Sequence, residues 1–598
     1  MFIVAVTKSD RQIARSALDY KVFRHGNWNI SVGTRSDMVH VAESNGGFNL
    51  VESPLVGVSQ GSKLPGALVE FEPERMELRI TKPLGSGRPL YYHQNAAGEF
   101  FCSTHFAQLR DVGVRLQADE TVIPEFLIYR YVVPPATLYK SVSHIPLGAT
   151  LRVRLTPDDC EVGNLEYWFP PEASPNASPG ELAEEMTRLL AARLQRLAPL
   201  RSQIAVLLSG GLDSTALFRT AQRLFEISDS YSTGYPFEKA VENVERQYAE
   251  SAAEALGGRH HYYRSTTSDY LHGVLSAIAA AEQPVHHLQS VMFCLLFERG
   301  IPADKTVIIS GEGADVICGL ELQYRLWRRE HNTALRTLAA RLPVAPAIRW
   351  LTTKIGRGSG FFEPILEPLP GTRYENPEHE LWSLFRYGNT RWVMEQFGCH
   401  KEDLIRSRLE LVKRIQNRSI YDVISLLALR SEGTMTQTIW SKIGEACGRF
   451  VDYPFLDPDL LQFAYRTSWA VKLQEPKWLI RGALRRLNVP EFIIRRPKSG
   501  FGLNRRDWAL KGGILDPLVP LAAKVFPEEQ IRTLQTNHRL DAATFWTLLN
   551  YAIWKRLYVD GESPDCLHEE LERQMKSAAL APGTIFHQLT LTEAAACD

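Results

Sequence analysis

The residues best placed to do chemistry are Ser209, Gly210, Gly211, Leu212, Asp213, Ser214 and Thr215. They follow an apolar run, Ile204-Ala-Val-Leu-Leu208, which reads as a buried parallel strand. The run halts at two glycines, where a side chain would block close approach of the backbone. Asp213, Ser214 and Thr215 then open an amphipathic helix (Ala216 to Phe225), so free backbone N–H groups and the positive end of the helix dipole face an anion. The stretch Leu208, Ser209, Gly210, Gly211, Asp213, Ser214 and Thr215 therefore reads as a phosphate cradle, with the Ser209, Ser214 and Thr215 hydroxyls donating to phosphoryl oxygens. Asp213 suits a Mg²⁺ ion better than a phosphate. The lysine of a GxxxxGK[ST] loop is absent. A generic Ser/Gly turn is the bland alternative, and seven specified positions between strand and helix weigh against it.

A second apolar run, Thr306-Val-Ile-Ile309, leads into Ser310-Gly-Glu-Gly-Ala-Asp315. Ser310 and Gly311 extend the phosphate-binding set. Glu312 and Asp315, three apart beyond a strand end, can share one region, Asp315 facing a metal bridged to pyrophosphate and Glu312 handling a proton. An acidic turn that only makes caps is the other possibility. Lys498, between Pro497 and Gly500, is a point charge able to stabilise an anionic transition state and a departing pyrophosphate. A lone lysine in a basic loop is otherwise merely solvated.

These groups need elements to hold them. Ser230-Tyr-Ser-Thr-Gly-Tyr235 reads as a strand, Glu242 to Leu256 as a helix and His260-His-Tyr-Tyr263 as a third strand, an alternation that predicts a doubly wound parallel sheet. Ligands in such sheets bind beyond the carboxyl ends of the strands, where Gly210 and Gly211 lie. Short alternating segments before about Pro170, among them Ala67–Glu72, Met76–Ile80 and Phe100–Ser103, predict a mainly β first domain over 1–170. Residues 171–180 are a linker by composition, and Glu181 to Leu197 has helical periodicity. Residues 181–575 form the second domain; 321 to about 430 are helical and Arg-rich, and Gly356-Arg-Gly-Ser-Gly360 reads as a mobile loop. From Lys576 to Asp598 the chain looks like a frayed tail.

At 598 residues the chain exceeds a single core, and two or three domains are expected. Lys plus Arg equals Asp plus Glu at 68 each, so no net field favours a polyanion such as nucleic acid. No apolar run approaches the roughly 18 residues of a membrane span, so a cytoplasmic location without membrane association is expected. Eight cysteines lie scattered without a CxxC pair, against a zinc site or a disulfide framework.

Ser209 to Ser214 resembles the SGGxDS loop of the ATP pyrophosphatases, which activate a carbonyl or carboxylate as its adenylate. Ser310 to Asp315 is similar to the SGEGxD segment of asparagine synthetases; the related β-lactam synthetases carry a tyrosine where Glu312 stands. Tyr453-Pro-Phe-Leu-Asp457, Lys477-Trp-Leu-Ile-Arg-Gly-Ala483 and Arg495-Arg-Pro-Lys-Ser-Gly-Phe501 follow the C-terminal motifs of that family in order. Gly87-Arg-Pro-Leu-Tyr-Tyr92, with Gly98 to Thr104, and Val142 to Leu151 resemble its N-terminal glutaminase domain. The resemblance implies an α/β and α+β multidomain chain: a degenerate, Ntn-hydrolase-like glutaminase domain, then a PP-loop synthetase domain with a helical C-terminal part. It implies ATP, Mg²⁺ at Asp213 and Asp315, proton removal from an amine by Glu312, and contact of Lys498 with the acyl-phosphate region. The family's glutaminase uses an N-terminal cysteine, whereas residue 2 here is Phe2 and the first cysteine is Cys102. The first domain is thus expected to be a structural relic or a substrate platform, and the amine to come from the substrate or a second molecule. Of such relatives, lasso peptide cyclases fit best, implying a ribosomal precursor peptide delivered with a leader-binding protein and a peptidase. Small-molecule lactam formation, ammonia-dependent asparagine synthesis and an inactive scaffold remain the alternatives.

Overall fold

A computed structural model describes residues 1–8, 18–35, 38–53, 67–173, 177–235, 244–331, 384–413, 415, 418–496, 505–536, 538–580, 584 and 586. Alternating apolar residues build two antiparallel sheets in the N-terminal part, of six and seven strands. In strand Phe2–Lys8, Phe2, Val4 and Val6 share a core with Phe48, Leu50, Val69, Leu78 and Ile80 of the second sheet. Ile3 and Ala5, on the opposite face of that strand, join the core that includes the second half of the molecule, so the first sheet is covered on both faces.

That second half is built on a five-stranded parallel sheet. Its strands, in chain order, are Ile204–Leu207, Asp229–Gly234, Arg259–Arg264, Val307–Ile309 and Phe450–Asp452. In space the order is third, second, first, fourth, fifth, so the topology reverses between Ile204–Leu207 and Val307–Ile309. These two central strands are apolar and buried throughout. At one edge, Arg-His-His-Tyr-Tyr-Arg of Arg259–Arg264 is polar and half-exposed, as suits an edge strand. The doubly wound sheet and the β-rich first part follow the sequence expectation.

The helix expected from Glu181 starts earlier, at Pro179, because Ser178 and Glu181 form a reciprocal capping box with proline at the first helical position. At the other end, helix Pro564–Ala579 runs on past Lys576, correcting the reading of a frayed tail from that residue. Leu567, Leu571 and Met575 bury a stripe there, and beyond it Phe586 is buried, its N–H donating to the Gly512 carbonyl at 3.0 Å. The segment Gly356–Gly360 lies outside the described residues. Among the described residues, no helix is long and apolar enough to cross a membrane.

The two halves dock through polar contacts as well as apolar ones. The Glu282 carboxylate accepts from the N–H groups of Phe106 and Ala107, both at 3.1 Å, and from Lys442 Nζ at 2.7 Å, capping a helix of the first half from the second. Arg88 bridges Glu52 at 3.2 Å and Glu445 at 2.5 Å. Gly87 sits so close to the second half that a Cβ there would meet Ser441 Oγ at 2.0 Å.

Candidate active site

The loops that leave the two central strands face each other across the topological reversal and line a cavity of about 270 Å³. From the first come Leu208, Ser209, Asp213 and Ser214; from the second, Ser310, Gly311, Glu312 and Asp315. Six of the nine proposed phosphate-loop positions thus line the same cavity as both acidic residues of the second turn. Thr215 is turned away: it is fully buried, and its N–H donates to the Gly211 carbonyl at 3.0 Å as part of the helix start.

The first loop is shaped by Gly210, whose φ is +68° and whose missing Cβ would meet the Tyr248 carbonyl at 2.4 Å. No L side chain fits both that backbone and that contact. Gly211 then caps helix Leu212–Phe225 without a side chain of its own. Ser209 and Ser214 tie the turn: Ser209 N–H donates to Ser214 Oγ at 3.1 Å, Gly211 N–H donates to Ser209 Oγ at 3.3 Å, and the two hydroxyls lie 3.1 Å apart. Arg496 closes the outside, donating to the Ser209 carbonyl at 3.2 Å while its guanidinium stacks 3.5 Å over the Tyr248 ring.

The second loop is fixed from below. Ser310 N–H donates to the Asp452 carbonyl at 3.0 Å, and Asp452 is held by a buried ion pair with Arg193. Arg196 reaches Asp457 at 2.7 Å and Asp459 at 3.1 Å, so the Tyr453-Pro-Phe-Leu-Asp457 motif anchors the sheet to helix Pro179–Gln195. Gly313, at φ +92°, lies where a Cβ would meet Leu456 Cγ at 2.5 Å, which locks the acidic turn onto the same motif.

Lys477 is the residue the sequence reading passed over. Its Nζ lies 2.9 Å from Asp213 Oδ2 and 2.9 Å from Asp315 Oδ1, joining the two loops through one ammonium. Burial opposes the charge, but the two carboxylates more than offset this and hold the amine protonated well above the ordinary lysine range. The available signal was its place at the head of the Lys477-Trp-Leu-Ile run together with two aspartates already expected to share a cation. Lys498, in contrast, lies outside the described residues.

Glu312 behaves differently from its neighbour Asp315. Burial, then the nearby charges of Asp315 and Glu432, raise its carboxyl to about 7, with Lys477 acting in the opposite sense. Glu432, a second residue missed from sequence, takes a hydrogen bond from Tyr387 Oη at 2.8 Å and pairs with His287 at 3.1 Å. A group poised near neutrality beside a permanently charged amine can exchange a proton with substrate, while the amine stabilises anionic oxygens.

Residues 185–558 match the asparagine synthase family. The chain belongs to that family. Relatives described as putative glutamine-hydrolysing asparagine synthetases, from Mycobacterium bovis and Mycobacterium tuberculosis, are 24% identical over 518 residues, covering 79% of this chain and 73% of theirs. A second putative asparagine synthetase of Methanocaldococcus jannaschii is 22% identical over 271 residues, covering 43% of this chain and 50% of its own. Membership of the asparagine synthase family makes the chain an ATP-dependent amide ligase, and the family uses ATP, generally with Mg²⁺. The residues present fit such an ion: Asp213 and Asp315 supply hard oxygen ligands that already converge on one positive charge, that of Lys477.

Proposed function

We propose that this ligase activates a peptide carboxylate as its acyl-adenylate and closes it on an amine of the same peptide, giving a macrolactam, without hydrolysing glutamine. The observation that carries the reading is at the head of strand Phe2–Lys8. A glutaminase of this family needs a thiol there; Phe2 supplies a phenyl ring, fully buried in the sandwich core. Cys102, on the partner strand, is no substitute: it pairs with Val4, is fully buried, and burial pushes its thiol far up, away from the reactive thiolate.

In this scheme ATP binds with its phosphates over Ser209, Gly210, Gly211 and Ser214, and Ser310 and Gly311 close the opposite wall. Asp213 and Asp315 would hold Mg²⁺, which when bound neutralises pyrophosphate. A substrate carboxylate oxygen attacks the α-phosphorus and pyrophosphate leaves. Lys477 stabilises the charge that accumulates on the phosphoryl oxygens, and Lys498 is assigned to the same task at the acyl-phosphate. Glu312 then takes the proton of the attacking amine as AMP departs. A leader-binding protein and a peptidase would deliver and trim the peptide.

The test is incubation with ATP, Mg²⁺ and the precursor peptide encoded beside the gene, following AMP and product mass. Loss of one water from the peptide, with one AMP per product, is the expected outcome. Turnover of a small amino acid derivative but of no peptide would replace macrolactam closure by small-molecule lactam synthesis. Asparagine formed from aspartate and an ammonium salt would make the chain an ammonia-dependent synthetase.

A further inference from the structure

A loop of this kind holds an anion only while its N–H groups, and not its carbonyls, face the ligand. The first N–H groups of helix Leu212–Phe225 have no acceptor within the helix and are offered to a phosphate. The Ser209 carbonyl, just before the glycines, is the group that could spoil this, because a carbonyl oxygen repels a phosphoryl oxygen. Its peptide runs into Gly210, which tolerates either sign of φ, so that peptide can turn over more easily than most. Its orientation has to be held from outside the loop.

Arg496 holds it. The side chain is buried behind the loop, outside the lining of the cavity, and Nη1 donates to the Ser209 carbonyl at 3.2 Å. A guanidinium carries donors and no acceptor, so this contact has one polarity: it draws the carbonyl oxygen toward the arginine and away from the ligand. The arginine is held in turn by helix Val244–Ala255, where its plane lies 3.5 Å over the Tyr248 ring and Glu245 supplies an opposite charge. The Tyr248 backbone carbonyl packs against Gly210, where a Cβ would meet it at 2.4 Å. One guanidinium therefore joins the phosphate loop to the helix that backs it.

We infer that Arg496 is a positioning residue for the pyrophosphate part of ATP, acting through the Ser209 carbonyl and the Tyr248 ring without touching the ligand. Its removal leaves the N–H groups of the loop in place but frees an acceptor to turn in among them. The nucleoside end of the cavity, remote from that carbonyl, is unaffected. The inference rests on the reading of the cavity as an ATP site.

Calorimetric titration of the full-length wild type with ATP and Mg²⁺ tests that reading first, independently of Arg496, and absence of binding would remove it. The inference is then tested with two separate probes, pyrophosphate with Mg²⁺ and AMP, in wild type, Arg496→Leu, Arg496→Lys and Tyr248→Leu. Arg496→Leu should weaken pyrophosphate about tenfold or more, the order of effect of a hydrogen bond to a charged group, and leave AMP within about twofold. Arg496→Lys keeps the charge and a donor but loses the planar face, so it should recover part of the affinity. Tyr248→Leu should weaken pyrophosphate in the same direction, and adding it to Arg496→Leu should cost nothing further, since the ring acts only through the arginine. AMP binding also reports whether the site is folded in each variant, and Tyr248→Leu supplies the reading if Arg496→Leu does not fold. Pyrophosphate and AMP weakened alike, as by a general loosening of the fold, or pyrophosphate affinity unchanged in Arg496→Leu, would overturn the inference while leaving the ATP site intact.

Discussion

Lys477→Met is expected to lower ATP–pyrophosphate exchange by about 10²–10³-fold, the usual effect of removing a preorganised charge aimed at a developing anion. Methionine keeps most of the length and removes the charge. Two carboxylates, each 2.9 Å from the lost ammonium, are then left facing one another. Lys477→Arg should not restore the rate. The side chain is buried and leaves a backbone with φ +62° at the start of helix Trp478–Arg486, so a planar fork has no room to reproduce a point charge between two loops. Thermal unfolding measured alongside exchange separates catalysis from folding. Asp315 is nearly half-exposed, so water screens the residual repulsion and the loss of stability should be small beside the loss of rate.

Glu312→Gln is expected to divide the reaction at its second step. The carboxyl is raised to about 7, so the base is protonated below neutrality and becomes competent as pH rises. Single-turnover amide formation in the wild type should therefore increase through pH 7 and level off above it. In the glutamine variant this step should vanish and the rate of amide formation fall by about 10²–10⁴-fold, the range for a positioned base. Adenylation does not use that proton, so exchange of pyrophosphate into ATP should survive. A variant that lost exchange and amide formation equally would place Glu312 in substrate binding instead.

The sheet was legible because apolar runs ending in glycines mark buried parallel strands, and the two loops could be placed together because both follow such runs. The reversal of strand order, which makes Ser209 and Glu312 neighbours, follows from the alternation of strands and helices. Lys477 was not legible as a site residue. It lies 264 residues from Asp213 in the chain, and its role exists only once the helix it starts packs beneath both loops. Glu432 is hidden for a related reason: its effect on Glu312 is a charge felt across packed helices. At the C-terminal end, the stripe of Leu567, Leu571 and Met575 was present in the sequence, but its continuation past Lys576 depends on the core it covers.

Carboxylate adenylation is the central claim, and oxygen transfer tests it most directly. The carboxylate that supports AMP release would be labelled with oxygen-18 and the phosphorus-containing products examined by mass spectrometry after one turnover. Attack by a carboxylate oxygen on the α-phosphorus predicts one labelled oxygen in AMP and none in pyrophosphate. Label in orthophosphate together with ADP, or AMP released without label, would contradict the account.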